Sequence, residues 1–145
     1  MFKRILLCYD GSEPGRGALK QGAELAIQMG ADAFVLSIVP ASVTEGVALA
    51  RCTGHGCAVD VDHDFRTILE ESVSWLKARG VTAEGFLAHG NVIDVIVDHS
   101  QRVRADLIVV GQYPKVGGGR WWSSSPRATL SERAPCSVFI SVGSN

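Results

Sequence analysis

Short apolar runs alternate with longer segments of helical spacing, and this alternation constrains the fold more than any other feature of the chain. The first run is continuously apolar after Arg4 and stops at Asp10-Gly11-Ser12. Such a run predicts a strand buried on both faces and followed by a turn. The predicted strands cover residues 4–9, 33–39, 81–88, 107–110 and 137–142.

Helical patterns fill the intervals between these runs. In residues 13–29, small and apolar side chains recur every three or four positions, and Gly30 follows as a helix-ending glycine. The second helix starts near Asp62 and stops at Arg79-Gly80. The third covers 92–104, and the fourth runs from Ser125-Pro126 to Ala134-Pro135.

Strands that alternate with helices are typical of a parallel sheet covered on both faces. We therefore predict an α/β fold with one five-stranded parallel sheet in a three-layer sandwich, in the flavodoxin-like strand order 3-2-1-4-5. Ligands of such sheets bind where the strand order reverses. Here that point lies between strands one and four, so residues 10–12 and 111–125 are the candidate binding loops.

Length and charge narrow the class of protein. The 145 residues fit a single domain, 1–145, and 46% hydrophobic residues suffice for its own core. Fourteen basic residues against fifteen acidic ones give a net charge of -1, which argues against nucleic acid as the main partner. The first apolar run is too short for a signal peptide or a membrane span, so we expect a cytoplasmic protein with no membrane partner.

Three common nucleotide fingerprints do not fit the chain. The P-loop pattern is missing, and the turn after strand one lacks the glycine register of dinucleotide-binding proteins. A phosphoacceptor domain would carry a carboxylate at the end of strand three, where Ala88-His89-Gly90 stands. We also expect no enzyme, because His89, interpreted as a loop residue, and His99, interpreted as a helix-surface residue, lack catalytic partners at a suitable spacing.

Four segments resemble the universal stress protein family. They are the start 5–13 (ILLCYDGSE), the segment His89-Gly90-Asn91-Val92, the run 105–111 (ADLIVVG) and the end 130–138 (LSERAPCSV). The resemblance implies a cytoplasmic α/β stress-response protein that forms homodimers by antiparallel pairing of the last strands. One branch of the family binds ATP and another does not.

The ATP-binding branch carries Gly-x2-Gly-x9-Gly-Ser/Thr after strand four. Gly111 matches the first position and Ser125 the last, whereas Pro114 and Ser124 replace the second and third glycines. Glycine there allows close approach of the backbone to phosphate. Proline fixes φ and has no N–H, and Pro126 removes a further donor from the next helix.

Other residues favour nucleotide binding. Gly119 and Arg120 offer amides and a positive charge for phosphate, beside the hydroxyls of Ser124 and Ser125. By resemblance, Asp10 matches a contact to the base or sugar, and Ile38 matches an apolar residue packed on adenine. Gly11, Ser12 and Gly90 complete the candidate nucleotide site. The alternatives are that 111–125 is only a long connection, and that Asp10 caps the first helix or holds the turn.

A second candidate site lies in the connection between strand two and the second helix. Cys52, His55 and Cys57, with His63 nearby, carry side chains that bind zinc or copper. The sequence thus leaves three hypotheses open. They are an adenine-nucleotide-binding stress protein, a dimeric interaction module with an unidentified protein partner, and a metal or thiol-redox sensor.

Overall fold

The computed structural model describes residues 1–40, 61–111 and 126–142. The strands are β1 (Arg4–Cys8), β2 (Asp32–Pro40), β3 (Ala83–Gly90), β4 (Leu107–Gly111) and β5 (Ser137–Ser141). The helices are α1 (Glu13–Met29), α2 (Val61–Ala78), α3 (Val92–Arg102) and α4 (Pro126–Arg133).

The five strands form one parallel sheet in the order β3-β2-β1-β4-β5, which confirms the predicted topology. β1 is central: Leu7 lies opposite Val35 on one side and Val109 on the other. β2 and β3 lie on one side of β1, and the connection after β3 carries the chain to β4 on the other side, so the strand order reverses between β1 and β4. The carboxyl ends of these two strands therefore form the switch point of the sheet.

The core consists of one apolar cluster on each face of the sheet. Alternate residues of β1 point to opposite faces, so Ile5 and Leu7 join the cluster beneath α1 and α2. Leu6 and Cys8 join the cluster beneath α3 and α4, where Leu130 of α4 is fully buried. Burial on both faces explains why β1 is continuously apolar after Arg4.

Local hydrogen bonds set the helix ends. Ser12 caps α1, because its Oγ accepts from the Gly15 N–H at 3.2 Å, and Gly30 closes that helix in the left-handed conformation. Val81, predicted as the first residue of strand three, instead closes α2 through its N–H to Leu76 O at 3.2 Å. β3 consequently begins at Ala83 and extends to Gly90.

Both histidine interpretations are wrong. His89 belongs to β3 rather than to a loop. His99 is not a surface residue of α3, since its side chain is only 15% exposed and its ring meets the edge of Phe86 at 5.6 Å between centroids. Both rings lie close to the outer strand of the sheet.

The two described cysteines differ in their surroundings. Cys8 is buried in β1, and burial raises the pKa of its thiol well above the ordinary range. Cys136 is half-buried, and burial, with a smaller contribution from the Asp106 carboxylate, raises the pKa of its thiol as well. No described helix is long and apolar enough to cross a membrane.

The docking of α4 on the sheet can be tested at Leu130. Leu130→Ala should lower the free energy of unfolding by about 2–5 kcal/mol, because it leaves a cavity in a fully buried position. Urea denaturation followed by circular dichroism measures the change. Ile27→Ala is the control at a 52% exposed apolar site and should change stability by about 0.5 kcal/mol or less. Equal losses in the two variants would contradict the packing of α4.

Candidate functional site

The candidate site is built on the turn that follows β1. Asp10 is fully buried there, and its Oδ1 accepts a hydrogen bond from the Ser12 N–H at 2.8 Å. Of the two structural roles considered for Asp10, the structure shows the one in which it holds the turn. The capping role belongs to Ser12.

The first turn of α1 explains how a carboxylate is tolerated inside the fold. A Cβ placed on Gly15 would lie 3.0 Å from Asp10 Oδ1, so the carboxylate rests against the start of α1. The N-terminus of a helix carries a partial positive charge from its unpaired N–H groups, and it stabilises a negative group placed there. The site therefore presents a negative acceptor against a locally positive background.

Gly111 brings the second candidate loop to the same place. A Cβ on this residue would lie 2.6 Å from the Pro14 carbonyl oxygen and 3.2 Å from the Gly15 nitrogen. Because these are backbone atoms, they cannot rotate away, and only glycine allows the approach. The end of β4 thus lies directly against the first turn of α1, next to Asp10.

Gly11 fixes the direction in which the turn leaves β1. Its φ is +83°, a left-handed conformation that favours glycine. A Cβ there would also lie 2.8 Å from Cδ1 of Ile68 on α2. The turn is therefore held between α2 and the start of α1, which positions Asp10, Gly11 and Ser12 together as predicted.

Two further predicted residues lie at the same edge of the sheet but on other strands. Ile38 is fully buried in the cluster beneath α3 and α4. Gly90 ends β3 opposite Pro40, so β2 separates it from the turn after β1. The structure thus brings Gly111 next to Asp10. It places Ile38 and Gly90 on β2 and β3, further from Asp10 along the carboxyl ends of the strands.

The remaining nucleotide candidates lie outside the described residues. These are Gly119, Arg120, Ser124 and Ser125. Pro114, which like Ser124 replaces a glycine of the ATP-binding pattern, also lies outside them. α4 begins at Pro126, as predicted.

Most of the candidate metal site also lies outside the described residues, namely Cys52, His55 and Cys57. His63 is exposed in the first turn of α2. Beside it, Asp62 Oδ1 lies 2.8 Å from His89 Nε2, and both side chains are about half exposed. Within 1–40, 61–111 and 126–142, no group of three or more His, Cys, Asp or Glu could hold a metal ion.

A crevice between α1 and α2 was missed by the sequence analysis. It has a volume of about 240 Å³, and its lining includes Tyr9, Arg16, Lys20, Glu71 and Trp75. The signal in the sequence was the pair Arg16 and Lys20, one helical turn apart beside the apolar stripe of α1. The tertiary fold places these two basic residues in the same crevice as Trp75 of α2, which the local sequence does not reveal.

The universal stress protein family model matches residues 1–141. The universal stress protein YxiE of Bacillus subtilis is 26% identical, over 97% of this chain and 99% of its own length.

Solved structures show the same fold. The hypothetical protein MJ0577 superposes with a TM-score of 0.79 at 17% identity, covering 100% of this chain and 99% of that protein. A universal stress protein in complex with cAMP gives 0.69 at 24% identity, covering 96% of each chain. One from Archaeoglobus fulgidus in complex with dAMP gives 0.66 at 20% identity, covering 97% of each chain.

The contact between β4 and α1 can be tested at Gly111. Gly111→Ala should lower the free energy of unfolding by about 1–3 kcal/mol, because the added methyl group meets the backbone at Pro14. Chemical denaturation provides the measurement. Gly17→Ala is the control: its Cβ would meet only Ser141 Oγ at 3.8 Å, and alanine in a helix interior should raise stability by about 0.5–1 kcal/mol. A neutral Gly111→Ala would contradict the close approach.

Proposed function

Because this chain belongs to the universal stress protein family, we propose that it binds an adenine nucleotide at the switch point between β1 and β4. ATP is the first ligand to test. The proposed role is binding, in the cytoplasm, as part of a stress response, with no catalytic step assigned to any residue.

The observation that carries this proposal is the contact of Gly111 with the first turn of α1 beside Asp10. It joins the two loops that a nucleotide at the switch point would touch. The ribose hydroxyls and the adenine amino group are donors, and a carboxylate accepts several hydrogen bonds, so the bond to Ser12 leaves Asp10 with further accepting capacity. The related proteins in complex with cAMP and dAMP support an adenine nucleotide as the ligand class.

The sequence after β4 predicts a smaller contribution from the phosphates. Pro114 and Pro126 have no N–H, and Ser124 replaces a glycine. Each missing buried hydrogen bond costs about 1–3 kcal/mol. We therefore expect the base and sugar to supply most of the affinity, so that AMP and ATP bind with similar strength.

The exposed apolar residues of β5 favour a second role, self-association. β5 is an edge strand that pairs only with β4 among the described strands. Phe139 and Ile140 are each 36% exposed, and Val142 just beyond the strand is 65% exposed. An uncovered apolar edge is a template for pairing with another chain. We propose a homodimer formed by antiparallel pairing of two β5 strands.

The nucleotide proposal is tested at Asp10. Asp10→Ala should weaken binding of ATP and of AMP about tenfold, or about 1.4 kcal/mol, because an acceptor for the base or sugar is lost. Isothermal titration calorimetry in magnesium-containing buffer measures both affinities.

Two variants separate ligand contact from damage to the turn. Asp10→Asn retains an acceptor for the Ser12 N–H and should remain near wild type in stability while binding nucleotide more weakly. Glu24→Ala removes an exposed charge on α1 and should change neither property. An unchanged affinity in Asp10→Ala removes Asp10 from the site. If neither ATP nor AMP gives a heat of binding with the wild-type protein, the nucleotide proposal is wrong, and a role in protein interaction alone is favoured.

The dimer is tested at Ile140. Ile140→Lys should convert a dimer into a monomer in sedimentation equilibrium, because a charge replaces an apolar side chain on the paired edge. Ile27→Lys introduces the same charge at another exposed apolar position and should leave the dimer intact. A monomeric wild type, or equal dissociation in both variants, would refute pairing through β5.

A further inference from the structure

The crevice between α1 and α2 combines features of a ligand site. It borders the turn after β1 on the α2 side, and its lining includes none of residues 10–12 and 111. One wall is formed by the first two turns of α1, and the other by the middle of α2. The floor is Tyr9, the residue immediately after β1. Three features indicate which ligand it would take.

The first feature is the Tyr9 hydroxyl. The backbone of Tyr9 is held at both ends, because its N–H donates to Leu36 O at 3.1 Å and its carbonyl accepts from Ser37 Oγ at 2.8 Å. The side chain is only 7% exposed, yet its hydroxyl has no hydrogen-bond partner among the described residues. The hydroxyl oxygen is not one of the buried, unsatisfied polar atoms of the described residues, so it is accessible and can donate to a ligand in the crevice.

The second feature is the charge on the walls. Arg16 and Lys20 lie one turn apart on α1, and Glu71 lies on α2. None of the three forms an ion pair within the described part of the chain. The crevice therefore carries two positive charges against one negative, in a protein whose net charge is -1. This local excess favours an anion.

The third feature is a fixed aromatic surface. Trp75 is half-buried and lines the crevice. The Arg79 guanidinium lies 3.6 Å from the centroid of its ring, and Arg79 Nη1 donates to the Trp75 carbonyl at 3.1 Å. The guanidinium covers the indole ring and restricts its motion, and its hydrogen bond to the Trp75 backbone keeps the guanidinium in place. Because the motion of the indole is already restricted, the packing of a planar ring against it costs the protein little further side-chain freedom.

From these features we infer that the crevice binds a small aromatic carboxylate. The carboxylate accepts from the Tyr9 hydroxyl and pairs with Arg16 or Lys20, while its ring packs against Trp75. Glu71 repels the carboxylate and weakens its binding. Because two basic residues oppose this one acidic residue, the crevice still favours an anion over a cation of the same shape. At about 240 Å³ the crevice is smaller than the ~300–1,000 Å³ of typical drug-sized pockets, which suits a single ring system and not a nucleotide.

The test is calorimetric titration of the full chain with indole-3-acetate as the probe. We expect saturable binding at one site per chain. Tryptamine, which carries an ammonium group on the same ring system, should give no saturable heat because of the positive walls. AMP should not displace indole-3-acetate, since the crevice lining includes none of the candidate nucleotide-binding residues 10–12, 38, 90 and 111.

Matched variants identify the groups that bind. Lys20→Met and Tyr9→Phe should each weaken indole-3-acetate about tenfold, the loss expected for one hydrogen bond to a charged group. Glu71→Gln should tighten binding, about two- to fivefold, by removing a repulsive charge. Lys77→Met and Glu70→Gln make the same charge changes on the exposed surface of α2, outside the crevice lining, and should leave affinity unchanged. Thermal denaturation verifies that every variant is folded.

Each alternative result overturns the inference. The crevice is no ligand site for this class if indole-3-acetate gives no saturable heat. Equal loss in Lys20→Met and Lys77→Met would show attraction to the net charge rather than to the crevice. Equal binding of tryptamine would show that only the ring is recognised, and displacement by AMP would place the probe in the nucleotide site.

Discussion

The close approach of the first turn of α1 to the end of β4 is the contact on which the rest of the site depends. With Gly111 seated against the Pro14 carbonyl, the end of β4 lies against the first turn of α1 and limits the path of the turn between β1 and α1. That path places the Asp10 carboxylate at the positive end of α1 and its bond to Ser12 within the turn. A larger residue at 111 would separate the helix from the strand and spread the two loops apart.

The same arrangement gives the two flanks of the molecule different properties. On the face of α1 and α2, the helices diverge enough to leave a crevice with Tyr9 as its floor. On the opposite face, α3 and α4 cover a closed apolar cluster that includes Ile38 and Leu130. The α1 and α2 face is therefore open to solvent at this crevice, while the α3 and α4 face is closed and includes the buried, unpartnered Nδ1 of His99 beside Phe86.

The fold could be predicted from the sequence because its signals are local. A continuous apolar run marked β1, and helical spacing with a closing glycine marked α1 and its end at Gly30. The cap of α1, Ser12, was not identified, because Asp10 was the residue considered for that role. The start of strand three was wrong because the apolar Val81 serves to close α2 through a backbone hydrogen bond, which hydrophobicity cannot distinguish from strand pairing. His99 was misplaced because its contact, Phe86, lies on a strand distant in sequence.

The candidate site could be predicted only in part. Asp10 and Gly111 stand at the ends of apolar runs and were visible as loop residues, but the choice between cap and turn for Asp10 depends on one bond to Ser12. The crevice depends on Arg16 and Trp75 facing each other across two helices. No spacing along the chain encodes that, since it follows from how the helices lie on the sheet.

The thiol of Cys8 bears on how the protein responds to oxidants. Oxidants such as peroxide attack thiolates, and a sulfur that stays protonated at the centre of the sheet is a poor target. Conversion of that side chain to a sulfenic acid would force an oxygen atom into an apolar layer with no space for it. Because this sulfur stays neutral and enclosed, β1 and the turn that follows it keep their shape when an oxidant is present.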